Sequence, residues 1–314
     1  MTEGDSFCHD AVFYDSDERF VALTAPFLRG ALADGHGAVA ATTKAHIELL
    51  RDELGDDADR VVFVDNADWY TRPARTVAGW QRQLDEFAAR GVRYTRVVGE
   101  VVFGEPDEHA TWTRYESALN RVFAHAPAWI VCPYSTRQLP PTVLGDALRT
   151  HPTVWDGQHR ASGAYLDPAA LLDEIADPVP PTSGEPTLTV PVTGDLAALR
   201  DRVRAVAEAT RVLPARQVDD LALTVTELAT NCLRHGTVPA RVALWFVDDR
   251  VVGEVSDAGR ASIDPLAGYL PPSPGADGGM GLWLARHACD ALSISSGDGG
   301  TVVRFSIGGG RGAR

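Results

Sequence analysis

Cysteine is scarce in this 314-residue chain, and Cys8, Cys132, Cys232 and Cys289 stand far apart with neither paired nor metal-ligand spacing. That excludes a disulfide framework, gives no zinc pattern, and fits a reducing cytoplasm. Basic residues are also short: 29 against 43 acidic ones, a formal net charge of -14, and no Lys/Arg block. No direct nucleic-acid partner is expected, because nothing could track a phosphate backbone. No stretch approaches the ~20 apolar residues of a membrane span. The opening MTEGDSFCHDAVFY has neither a basic n-region nor an apolar h-region, so the reading is a soluble cytoplasmic protein without a membrane partner.

Apolar residues make up 45% and charged residues 23%, a globular profile, and the length suits two domains better than one. The stretch IADPVPPTSGEPTLTVP (175–191) carries five prolines and Gly184, which remove helix and strand propensity together. It predicts a first domain over 1–176, a linker over 177–191 and a second domain over 192–308. The tail 309–314, rich in glycine, is expected to be flexible. Such a linker cannot carry a signal as one continuous helix.

Before the linker, GAVAATT, RVVFVDN, RYTRVVGE and AWIVCPY read as strands, each followed by a helical pattern. Strand and helix in turn predict an α/β domain with a mainly parallel sheet, covered on both faces. No GxxxxGK[ST] or GxGxxG occurs there, so any ligand is sought beyond the carboxyl ends of the strands. Those ends offer Thr42, Thr43, Lys44, Asp65, Asn66, Gly99, Glu100, Cys132 and Tyr134. With His9 near the start, Lys44, Glu100, Cys132 and Tyr134 are the candidate sensory pocket. Ordinary roles compete: Cys132 as a packed thiol and Asp65-Asn66 as a helix cap. Glu100 is the more informative residue, since a carboxylate directly after a buried strand needs a partner or a ligand.

After the linker come two helices, about 195–210 and 215–233, then strands RVALWFV and RVVGEVSD, a helix near 281–289, and strands around LSISS and GTVVRFSI. This order predicts an α+β two-layer sandwich. On the second helix Leu221, Val225, Leu228 and Cys232 form an apolar stripe, and Glu227, Asn231, Arg234 and His235 a polar one beside it. Asn231 can offer a neutral oxygen to Mg²⁺ and Glu227 can accept a proton. An ExxxN helix face alone is ordinary. Here it is followed in order by VSDAGR, with Asp257 placed to accept from an adenine amino group and Gly259 in the turn. DGGMGLWLARHACD then sets Gly278, Gly279, Met280, Gly281 and Leu282 at a helix start, where free N–H groups and the positive helix end suit phosphates. Thr301 opens the strand GTVVRF, where its hydroxyl can reach a nucleotide.

ELATNCLRHG, VSDAGR and GGMGL resemble the N box and the two glycine boxes of the GHKL (Bergerat) ATPases, in a layout similar to anti-sigma-factor serine kinases of the RsbW type. The resemblance implies ATP and Mg²⁺ as cofactors. It makes Glu227 the general base, Asn231 the Mg²⁺ ligand, Asp257 the adenine contact, and Gly279 and Gly281 the phosphate-side glycines. Arg260 and Ala261 depart from the usual first glycine box. The lid between the boxes (264–278) is short, proline-rich and without lysine. The helix over 195–210 holds no histidine, which sets a sensor histidine kinase well below the serine/threonine reading.

The stretches HDAVFYDSDERF, PFLRGAL, VVFVDNADWY, RVVGEVVFG, RYESALNRVF and AWIVCPYSTRQLP resemble the MEDS domain, a sensory module named from methanogens, methylotrophs and the DcmR regulator. The pairing is similar to actinobacterial anti-sigma regulators of the RsbA family. What it implies is a signal-responsive protein that phosphorylates a STAS-type antagonist, sequesters a sigma factor, or both. The sensed small molecule is not fixed, and a homodimer is open to it. A binding switch without turnover is the alternative.

Overall fold

The computed structural model describes residues 6–176, 178, 180–262, 264–269 and 279–308. The chain forms two compact units, Met1–Ile175 and Ala176–Arg314. Among the described residues no helix is long and apolar enough to cross a membrane.

The first unit runs β1 (Cys8–Tyr14), α1 (Asp17–Ala33), β2 (Gly37–Thr42), α2 (Lys44–Leu54), a 3₁₀ turn, β3 (Val62–Asp65), α3 (Asn66–Trp69) and α4 (Pro73–Ala89). It continues through β4 (Thr95–Gly99), α5 (His109–Val122), β5 (Ala128–Ser135), α6 (Pro141–Thr150), β6 (Thr153–Trp155), β7 (His159–Ala161) and α7 (Pro168–Glu174). Helix starts follow local chemistry. Ser16 caps α1 by accepting from the Arg19 N–H, with Asp17 and Glu18 in the first turn, and Thr43 caps α2 through the His46 N–H.

The strands lie in the order β3-β2-β4-β5-β1-β6-β7, parallel throughout except for β7 against β6. This is the expected α/β sheet, with β1 and the short β6–β7 hairpin added to the four anticipated strands. Alternation splits the strand side chains between two cores. Val12, Ala40, Val98 and Val131 pack against α1 and α2. Ala11, Val39, Val97, Ile130 and Cys132 face α4, α5 and α6 through Trp80, Tyr115, Leu119 and Val143.

The second unit runs β8 (Leu188–Pro191), α8 (Leu196–Thr210), α9 (Ala215–His235), β9 (Ala240–Val247), β10 (Arg250–Asp257), α10 (Met280–Ala288), β11 (Ala291–Gly297) and β12 (Gly300–Gly308). Its sheet is antiparallel, in the order β11-β12-β10-β9-β8. Helices pack on it through Leu199, Val203, Leu221, Val225, Leu228 and Ala285, which meet Val242, Leu244, Val255 and Phe305. The two-layer α+β sandwich is therefore as expected.

One boundary is corrected. Residues 188–191, read as the end of the linker, form the edge strand β8, with Leu188 opposite Leu244. An edge strand tolerates Pro191 at its end because one side of the ladder is free. Asp177 and Val179 of the linker, Gly278, residues 270–278 of the lid and the tail 309–314 lie outside the described residues.

Gly253 on β10 sits opposite Phe305 on β12, and a Cβ there would stand 2.1 Å from Phe305 Cζ. The fully buried ring fills the space that a side chain would take. Replacing Gly253 by valine should displace Phe305 and cost about 1–3 kcal/mol, read as an earlier urea-unfolding transition of the second unit.

Candidate functional site

The second unit gathers its polar residues where α9, α10 and the end of β10 meet. Glu227 and Asn231 are half-buried on α9, one turn apart. Gly281 in the first turn of α10 comes directly against them: a Cβ on residue 281 would stand 2.6 Å from Glu227 Oε2 and 3.5 Å from Asn231 Oδ1. Only a residue without a side chain leaves that approach open. Gly279, at φ 88°, takes the left-handed conformation that starts α10. The first turn of α10, begun by Gly279, thus lies directly against a carboxylate and a carboxamide.

Asp257 closes the other end, buried where β10 finishes. Its Oδ1 accepts from the Thr237 N–H at 3.0 Å and the Gly259 N–H at 2.7 Å, which fixes both the exit of α9 and the DAG turn. Thr301 lies opposite Asp257 in the ladder; its hydroxyl donates to the Gly259 carbonyl at 2.8 Å and lies 3.1 Å from Ser296 Oγ. Cys232 completes the group: burial, then the Asp257 carboxylate, pushes its thiol up to about 12.

The structure therefore brings Glu227, Asn231 and Gly281 together, and separately Cys232, Asp257, Gly259 and Thr301. Arg234 and His235 are exposed in the last turn of α9, and no described hydrogen bond or ion pair joins them to either group. Met280 is exposed, while Leu282 packs on the apolar core. Arg260 pairs at the surface with Asp298. The described part of the lid, 264–269, is held to α10 by Arg286, whose Nε donates to the Ala267 carbonyl and whose guanidinium lies 4.7 Å from the Tyr269 ring centre.

In the first unit the five pocket candidates divide among separate sites. At the carboxyl edge, the chain leaves β2 toward α2 on one face and the adjacent β4 toward α5 on the other, the geometry that opens a crevice. Glu100 sits there, but buried and already partnered. Tyr14 donates to its Oε1 at 2.6 Å, while Thr42 and the Thr43 N–H donate to Oε2 and His46 Nδ1 lies 2.9 Å from it. The partner that Glu100 needs is thus supplied from within, and His46, absent from the candidates, is the main one. Lys44 is exposed and paired with Asp65 at 3.2 Å. His9, Cys132 and Tyr134 point to the opposite face, toward α5 and α6, in company with Glu116 and His151.

Glu116 had a visible signal: it interrupts the buried face of α5 formed by Trp112, Tyr115 and Leu119. His46 and His151 had none, since each follows an ordinary helical pattern.

The Glu100 site makes stability depend on pH. Burial alone would lower the His46 pKa, but Glu100 and then Asp17 outweigh it and raise it above 6.5. Burial would raise Glu100, and His46, Thr42 and Tyr14 instead bring it below 4.5. The raised imidazole stabilises fully below 6.5 and loses that contribution as pH rises through its folded value; the lowered carboxyl stabilises above 4.5 and loses it as pH falls. The stability gap between wild type and His46→Gln should therefore be widest from pH 4.5 to 6.5 and narrow on either side. Urea unfolding at a series of pH values measures it, and a gap independent of pH would remove the ion pair from this account.

Comparison with known proteins agrees with both folds. Residues 8–152 match the family model of the MEDS domain, the methanogen/methylotroph, DcmR sensory domain. Residues 191–307 match that of the histidine kinase-like ATPase domain, which implies ATP binding. No curated protein matches the chain. Among solved structures, it is similar to the RsbU and RsbW domains of Rv1364c from Mycobacterium tuberculosis. The identity there is 20% and the TM-score 0.30, over 40% of this chain and 33% of that one. This chain thus consists of a MEDS domain followed by a histidine kinase-like ATPase domain.

Proposed function

We propose that the chain is a signal-responsive anti-sigma regulator whose ATPase domain uses Mg-ATP to phosphorylate a serine or threonine on a STAS-type antagonist, hold a sigma factor, or both. The observation that carries this reading is the meeting of Glu227, Asn231 and Gly281 inside a histidine kinase-like ATPase domain. A carboxylate, a neutral oxygen ligand and a side-chain-free helix start converge at one place, and phosphoryl transfer needs those groups there.

The residues present fit the nucleotide and its ion. Asn231 would hold Mg²⁺ through Oδ1, and the N–H groups from Gly279 to Gly281 would hold phosphate oxygens. Asp257, with one carboxylate oxygen already bound by two N–H groups, would keep the other for an adenine amino group. Bound ATP supplies the phosphoryl group. Glu227 takes the proton of the incoming hydroxyl, and half-burial on α9 keeps its carboxylate facing the start of α10. Arg286 holds residues 264–269 against α10, a fixed base from which the lid continues.

Two variants separate binding from chemistry. Asn231→Ala keeps a strong helix former but removes the oxygen ligand, so Mg-ATP affinity measured by calorimetry should fall at least tenfold while the fold survives. Unchanged affinity would take Asn231 out of the metal role. Glu227→Gln keeps the shape and loses the proton acceptor, so phosphate transfer should drop by about 10²-fold or more with little change in affinity.

The function itself is tested by incubating the full chain with radiolabelled ATP and STAS-type proteins of the host. Acid-stable label on a serine or threonine of the antagonist is expected. ATP binding and sigma-factor capture without transfer would leave a nucleotide-dependent binding switch, and acid-labile label would indicate histidine chemistry.

A further inference from the structure

Behind the parallel sheet of the MEDS domain, four side chains from distant parts of the chain converge in the core. They are His9 on β1, Glu116 on α5, Cys132 on β5 and His151 directly after α6; all are buried, and their ligand atoms lie within 4.8 Å of one another. Both imidazoles are oriented from outside the group. His151 Nδ1 lies 2.8 Å from the Ala147 carbonyl oxygen, which can only accept, so it carries the proton. His9 Nδ1 lies 3.1 Å from Asn120 Oδ1, and Asn120 is held that way round by Nδ2 donating to the Ser117 and Thr150 carbonyls.

A neutral imidazole has one N–H, so each Nε2 turns a lone pair inward. There the two nitrogens meet Glu116 Oε2 at 3.1 and 3.3 Å, and His9 Nε2 meets Cys132 Sγ at 3.4 Å. By strict geometry no hydrogen bond reaches either Glu116 oxygen or His151 Nε2, although both imidazoles and the Cys132 thiol lie against that carboxylate. Three acceptors and a thiol thus face one another in direct contact, an arrangement that calls for a cation at its centre. A second proton on His151 is the competing remedy, and metal uptake by the stripped chain separates the two.

The spacing fits a particular kind of cation. Tetrahedral zinc, with bonds of about 2.0–2.3 Å, sets its ligands about 3.3–3.6 Å apart, and the three contacts above span 3.1–3.4 Å. Two nitrogens and a sulfur disfavour magnesium and calcium, which take oxygen. We propose that His9, Glu116, Cys132 and His151 form a closed binding site for a divalent transition-metal ion, zinc above all. Asn120 and the Ala147 carbonyl are its orienting outer shell. Binding releases the Cys132 thiol proton to solvent as the sulfur becomes a ligand. The ion would tie β1 and β5 to α5 and α6.

The test uses the full chain, stripped with a chelator, checked for folding by circular dichroism, and titrated with Co²⁺ and then Zn²⁺. One metal per chain retained through gel filtration is expected, with tetrahedral cobalt bands and a sulfur-to-cobalt charge-transfer band that zinc abolishes. The variant Cys8→Ala/Cys232→Ala/Cys289→Ala leaves Cys132 as the remaining thiol without touching the site, and should keep the sulfur band. Adding Cys132→Ser should remove that band. Asn120→Ala should weaken binding by roughly 10- to 100-fold. A folded chain that takes up no metal overturns the proposal. So does a cobalt spectrum without a sulfur band, or one that Cys132→Ser leaves unchanged.

Discussion

A carboxylate in the interior of a sheet must be matched by donors or a cation, and both units of this protein are arranged around that requirement. Leaving such a charge unmatched costs several kcal/mol, a large share of a domain's whole stability. In the first unit, Asp10 on the inner strand β1 is fully buried and lies 2.6 Å from Trp129 Nε1 and 3.2 Å from His159 Nδ1. The His159 contact, with the Thr153 hydroxyl donating to Asp10, binds the β6–β7 hairpin to the sheet. Glu100 does the same at the carboxyl edge, drawing Tyr14, Thr42 and the first turn of α2 to one point. In the second unit Glu254 is held by Arg304 at 2.7 Å, and Asp257 organises the loops on either side of it.

Seen this way, the polar groups of the two units do different work. Glu100 is satisfied by hydrogen bonds from its own neighbours, with the His46 ring stacked on Phe20 at 3.8 Å, and it locks local structure. Glu116 is instead met by two imidazoles and a thiol from distant parts of the chain, gathered in the core. Glu227 is half-buried rather than enclosed and lies directly against Gly281 in the first turn of α10. The degree of enclosure thus differs among these three carboxylates.

Much of the second unit was legible from local signals, because its motifs are short and lie on consecutive elements. ExxxN fixes one helix face, and DAG ends a strand. The GGMGL run marks a helix start; β9 and β10 pair directly, while the chain crosses through α10 before β11 and β12 close the sheet beside β10. The strand β8 was missed because proline-rich composition hides an edge strand whose pairing with β9 spans some fifty residues. In the first unit the alternation of strand and helix revealed the class of the sheet. It did not reveal that β1 enters between β5 and β6, so residues grouped by their nearness to strand ends belonged to opposite faces.

The sequence by itself determined most of the helices and longer strands and the fold class of each of the two domains, because period, capping and turn chemistry act over a few residues. Tertiary structure alone decided which buried polar groups share a site. His9 and Cys132 are 123 residues apart, and they meet because parallel pairing of β1 with β5 places both on the same face, beneath α5 and α6. Parallel register is set by crossover connections and by the packing of whole helices on the sheet, and no local pattern in either strand encodes it.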